Sequence, residues 1–124
     1  MKSLVLALAL TLSSTAFARQ YIQCGSRDAY STEVAVVNLT TPEYGTAFMS
    51  SGMQNPEDER LLLNIEFDKI EGGNHLYKVV DPRGTGTVKV ESKAINKSSD
   101  YLLVSIDFAG FGQDYSCFSR IYND

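Results

Sequence analysis

The side chains able to do chemistry in this chain are few and lie far apart. His75 is the only histidine, and so the only side chain that titrates near neutral pH unaided. It follows Gly72-Gly73-Asn74, a turn sequence, and so falls at the end of a hairpin. General acid or base work needs a reacting group held against the imidazole, and no G-x-S-x-G nucleophile elbow accompanies it. The reading favoured is a surface histidine. Glu66, Asp68 and Glu71 form a second grouping, along one strand and its turn. On a strand, Glu66 and Asp68 project from the same face about 7 Å apart. Carboxylates so spaced can serve glycoside hydrolysis or hold a calcium ion. Their commoner use is a solvated outer face, and the D-x-[DN]-x-[DN]-G calcium loop is absent. A carboxylate-dependent hydrolase is therefore the least favoured function, and no catalytic residue, metal or cofactor is expected.

The third grouping is Cys24 and Cys117. Two cysteines and one histidine cannot complete a Cys₄ or Cys₂His₂ zinc site, and without C-x-x-C no redox role is expected. Only one intramolecular pairing exists. It would close a loop of about 94 residues, for which the chain-entropy model assigns roughly 4–5 kcal/mol. Such a bond needs an oxidising compartment, and the first residues supply the address. Lys2 precedes the apolar run Leu4 to Leu12, and Ala16-Phe17-Ala18 gives the A-x-A pattern of a cleaved secretory signal. Nine apolar residues span only about 14 Å as a helix, too little for a membrane anchor. The expectation is a signal peptide over 1–18 and one domain over 19–124, periplasmic or secreted. Removing Lys2 makes a chain of formal charge −4 one unit more acidic. Nucleic acid is excluded as a partner, since its binders carry a basic face.

What must position these residues is a set of short strands. Arg60 to Ile70 alternates, with Leu61, Leu63, Ile65 and Phe67 on one face. Tyr101 to Phe108 turns Leu102, Val104, Ile106 and Phe108 inward, and Thr87 to Glu91 sets Val88 and Val90 opposite Thr87, Lys89 and Glu91. Glu33 to Leu39, Leu76 to Val80, Tyr115 to Tyr122, Thr46 to Ser51 and Tyr21 to Cys24 complete the set. Glu71 to Asn74 reads as a tight hairpin, and Asp81-Pro82-Arg83-Gly84 as a type I turn. No helix of ten or more residues is evident. About eight short antiparallel strands make a sandwich or a small meander barrel. A 24–117 bond would set the first strand beside the last, as closure requires, so the barrel is preferred and the β-sandwich is the alternative.

With no catalytic constellation, the candidate binding residues are in loops. They are Phe111 between two glycines in a turn, Arg83, and the acidic stretch Glu57, Asp58 and Glu59. The layout is similar to that of small periplasmic inhibitor barrels directed at lysozymes or metalloproteases, although no motif here carries residues across. The function expected is an exported, non-enzymatic binding protein, an inhibitor being one form, that meets a protein partner through loops at one barrel end. The alternative is a carrier of a small apolar ligand in the barrel interior. No transmembrane segment is expected in the mature chain.

Overall fold

The computed structural model describes residues 18–27, 33–50 and 60–122, with the backbone alone for Arg60 and Phe111. Eight antiparallel strands follow one another around a closed barrel: β1 (Arg19–Ser26), β2 (Val34–Leu39), β3 (Tyr44–Ser50), β4 (Arg60–Glu71), β5 (Asn74–Val80), β6 (Gly86–Glu91), β7 (Ser99–Phe108) and β8 (Phe111–Tyr122). Each strand pairs with its neighbours in sequence, and β1 pairs with β8 to close the ring. The meander barrel expected from alternation is thus the observed fold, and the sandwich alternative falls. Closure leaves no unpaired edge to recruit another chain.

Period two decides what is inside. Leu63 and Ile65 of β4, Val88 and Val90 of β6, and Leu102, Val104, Ile106 and Phe108 of β7 are buried as their alternation requires. β2 contributes Ala35, Val37 and Leu39, and β5 contributes Tyr77 and Val79. Burying side chains of this size stabilises by roughly 1.5–3 kcal/mol each. Tyr77 and Tyr115 are among the largest fully buried side chains, and Tyr77 donates its hydroxyl hydrogen bond to the Pro42 carbonyl at 3.0 Å. Burial pushes both phenols up to about 12.

The seam is stapled. Cys24 and Cys117 are directly opposed in the β1–β8 register, both side chains are buried, and they are joined as a disulfide with Cα atoms 4.1 Å apart. The bond spans a sequence separation of 93, so it ties the ends of the domain rather than a local turn.

Turn chemistry sets the hairpins. Gly72 and Gly73, at φ 59° and 79°, make the two-residue β4–β5 turn that their sequence called for. A second such turn joins β7 to β8 through Ala109 and Gly110, at φ 51° and 85°. This corrects the place of Phe111, which is not in the turn but is the first residue of β8, opposite Phe108. The Asp81 to Gly84 turn is closed by the Gly84 N–H donating to the Asp81 carbonyl at 3.3 Å. Between β6 and β7 the chain makes a 3-10 turn at Ser92–Ala94, absent from the sequence expectation because it is one turn long.

Candidate functional site

Topology sorts the connections between two ends. The upper end holds the β5–β6 turn, the β7–β8 turn, and the connections between β1 and β2 and between β3 and β4. The lower end holds the start of β1, the end of β8, the β2–β3 and β4–β5 turns, and the strap from Ser92 to Ser98. Of the candidate binding residues, Arg83 and Phe111 belong to upper-end segments. Glu57, Asp58 and Glu59 lie outside the described residues, within the segment joining β3 to β4.

Arg83 is built into the upper end rather than reaching away from it. Its Nε donates to Asp81 Oδ1 at 2.8 Å and its Nη2 to Asp81 Oδ2 at 2.7 Å. The Arg83 backbone N–H also donates to Asp81 Oδ1, at 2.8 Å. The same Nη2 donates to the Leu62 carbonyl of β4 at 3.0 Å. This two-point fork on a carboxylate is a geometry that lysine cannot copy. The Arg83 guanidinium and N–H hold the Asp81 carboxyl down to about 2. Their joint effect is to fasten the β5–β6 turn to β4. Beside it, Gly84 and Gly86 let β6 approach β7: a Cβ at Gly86 would overlap the Asp107 carbonyl.

The hydrolase candidates are occupied by ion pairs. Glu66 accepts from Lys78 at 2.9 Å, and Glu71 pairs with Lys69 at 3.2 Å. Asp68 falls at a register shift in the β4–β5 ladder, between Phe67 and Lys69, and its charge adds to the pull of Glu66 on the Lys78 ammonium. Among the described residues no group of three His, Cys, Asp or Glu is placed to hold a metal ion.

His75 departs from the surface reading. Its ring is half-buried, with the Phe67 ring centroid 5.5 Å away and that of Tyr77 6.4 Å away in a stacked pose. Its Nδ1 lies 2.8 Å from Ser92 Oγ. Burial lowers its pKa, so the ring is neutral at neutral pH.

Two groups of residues were missed in the sequence. The first is Gln20 with Ser119, both wholly buried polar side chains at the lower end. Gln20 Nε2 donates to the carbonyls of Ala94 and Lys97 and to Ser119 Oγ, while its Oε1 accepts from the Asn96 N–H at 2.8 Å. Ser119 Oγ donates to the Lys97 carbonyl at 2.9 Å. Strand parity carried the signal: Ile22 and Cys24 inward put Gln20 inward, and Cys117 inward does the same for Ser119.

The second missed group is on the wall formed by β7, β8 and β1. Tyr21 (40% exposed), Tyr101 (55%), Phe118 (39%) and Tyr122 (54%) face outward there. Tyr21 and Tyr122 meet edge to face at 6.2 Å, and Arg120 sits 5.1 Å above the Phe118 ring while pairing with Asp100 at 3.1 Å. Tyrosine, phenylalanine and arginine side by side are the residue types that anchor interfaces. Nothing in strand periodicity separates such residues from ordinary outward positions.

No family model matches the chain, and neither a curated protein nor a solved structure matches it.

Proposed function

We propose that this protein is an exported, non-enzymatic binding protein that engages a protein partner through its upper end. The observation that carries the reading is topological. One end of a stapled barrel gathers the clamped Arg83 turn and the Ala109-Gly110 turn with Phe111 beside it. Loops on a rigid scaffold are where recognition is usually built.

Five further observations support it. The disulfide suits an oxidising compartment outside the cytoplasm. β1 opens at Arg19, the residue after the expected cleavage point. Among the described residues no helix is long and apolar enough to cross a membrane. The barrel is apolar within and carries Glu66, Lys78, Lys89 and Asp107 on its outer wall, the reverse of a lipid-facing barrel. A fully buried Tyr77 and Tyr115 occupy the interior that a carrier would give to its ligand.

A second reading places the contact on the β7–β8–β1 wall, favoured by its four exposed rings around Arg120. One experiment separates the two. Immobilised protein captures partners from periplasmic and secreted fractions, and each captured protein is then titrated in purified form by calorimetry. Upper-end binding predicts loss of affinity for Phe111→Ala and none for Tyr101→Ala with Tyr122→Ala. The reverse pattern transfers the site to the wall. Affinity for no protein, across both fractions, overturns the binding reading itself.

A further inference from the structure

The lower mouth of the barrel is covered by a segment that is held differently from everything else in the fold. The strands are held by ladders. The strap from Ser92 to Ser98 is held largely by side chains. Gln20 and Ser119 grip its far half, and Ile121 N donates to Ser98 Oγ at 3.2 Å. Its near half is fixed by the Ser92 N–H donating to the Gly73 carbonyl at 2.9 Å and by the His75–Ser92 contact at 2.8 Å. The strap in turn seats Ala94, wholly buried, and Ile95 on the core.

His75 is the one member of this set whose charge changes near neutral pH. Among the described residues no carboxylate is ion-paired with it. In register it lies between Ile70 of β4 and Val90 of β6, and its ring neighbours are Phe67 and Tyr77. The charged groups on the elements packed against it are Glu66, Asp68, Lys69 and Glu71 of β4, Lys78 of β5, Lys89 and Glu91 of β6, and Lys93 and Lys97 of the strap. On the ladders Lys78, Lys89 and Glu91 each adjoin a buried residue and so project to the outer face. Lys69 pairs with Glu71, Lys78 with Glu66, and Lys93 with Glu91, which also accepts from the Leu103 N–H. Tyr77, the remaining titratable neighbour, is neutral throughout this range, its phenol held near 12. Desolvation is accordingly the cause that lowers the His75 pKa.

We propose that the strap is an acid-sensitive closure of the lower mouth, with His75 as the group that responds. The chemistry is a change of hydrogen-bond polarity together with an unpaired charge. Neutral imidazole can accept the Ser92 hydroxyl proton at Nδ1; imidazolium carries a proton on both nitrogens, so the serine O–H must rotate away and leave Oγ as the acceptor. The new charge stands between two aromatic rings and makes no ion pair among the described residues. Because the folded pKa is depressed, the stability that the neutral ring contributes is fully present above the ordinary value of 6.5 and is lost as the pH falls from there through the lowered folded value. Loosening the near half lifts Ala94 and Ile95 from the core and opens the apolar interior from below.

The test is amide exchange read as protection factors, which removes the intrinsic effect of pH on exchange. Between pH 7.5 and pH 5, protection at Ser92, Ile95 and Lys97 falls several-fold in the intact protein. Protection at Val88 and Val104, deep in the ladders, stays constant. In Ser92→Ala the strap is already at its acid level at pH 7.5 and changes no further. In His75→Gln the pH dependence disappears. Strap protection that is flat across the range overturns the proposal, as does an equal fall in His75→Gln, which would assign the response to carboxylates. If His75→Gln does not fold, His75→Phe keeps the ring packing and answers the same question.

Discussion

The two ends of this barrel solve one problem, closing a mouth over an apolar core, by opposite means. The upper end uses backbone and surface chemistry: a type I turn, a two-residue turn with positive φ, and an arginine fork that ties the β5–β6 turn to β4. The lower end sinks polar side chains into the wall. Gln20 makes bonds to Ala94, Asn96, Lys97 and Ser119 and is wholly buried. A buried carboxamide is costly to desolvate and so stabilises only when all its partners are in place. The upper end can therefore vary its residues at small cost. The lower end specifies one arrangement and should be intolerant of change. That difference is why a recognition role is proposed for the first and a gating role for the second.

The seam shared by both ends sets the scale of any test. Replacing both Cys24 and Cys117 by alanine removes a constraint spanning 93 residues and is expected to cost about 2–5 kcal/mol, seen as a lower urea midpoint. A smaller loss than at the lower end would mean that the β1–β8 ladder closes the barrel unaided. At the lower end, Gln20→Leu leaves the Ala94 carbonyl and the Asn96 N–H unpaired beneath the strap. At roughly 1–3 kcal/mol for each such group, a loss of about 2–6 kcal/mol is expected. Exchange should quicken in the strap and not at Gly84 or Ala109; uniform quickening would show the two ends to be one cooperative unit.

How much of this contrast could be read from residues follows the range of the interactions. The ladders were legible because a period of two is local, and Leu102 to Phe108 shows it without interruption. The Gly72-Gly73 turn was legible because only glycine and a few polar residues accept positive φ cheaply. The barrel followed from Cys24 and Cys117, the one long-range contact that a sequence announces by residue type. The lower plug was not legible by type, since a glutamine in a strand reads as outward-facing, and only parity from Cys24 places it inside. Arg83 was singled out as a loop residue and lies in the β5–β6 turn, yet its fork on Asp81 depends on a turn that brings residue i+2 back over residue i. Phe111 was placed in a turn because Gly110 and Gly112 flank it, whereas the turn takes Ala109 in the left-handed region instead.

That alanine offers a test in the other direction. An L-residue with a Cβ pays roughly 1–2 kcal/mol for the left-handed conformation, against about 0.5–1 kcal/mol for the extra chain entropy of glycine. Ala109→Gly is therefore expected to stabilise the protein by about 0.5–1 kcal/mol at the upper end alone, read as a raised urea midpoint with an unchanged slope. No gain would mean that contact between the Ala109 methyl and the Gly84 region, where a Cβ on Gly84 would lie 3.3 Å away, already compensates the strain.

The smallest expected effect is at the Arg83 clamp, and its disappearance in acid identifies it. Arg83→Ala removes an ion pair whose arginine is 53% exposed while the Asp81 side chain is only 8% exposed. Solvent screening at the arginine keeps the loss at pH 7 modest. That loss shrinks in acid. In the intact protein Asp81 is depressed to about 2 from its ordinary 3.8, so its contribution is present above pH 3.8 and is lost as the pH falls from there to about 2. Without the guanidinium most of that depression goes, and the stability curve should flatten across this window. The Arg83 backbone N–H still donates to the carboxylate, so a residual slope remains. Arg83→Lys separates charge from geometry: an ammonium restores attraction but cannot span both oxygens and the Leu62 carbonyl at once. A lysine variant with the full acid slope would reduce the clamp to simple charge pairing, and the upper end would then lack the rigid turn on which its recognition role depends.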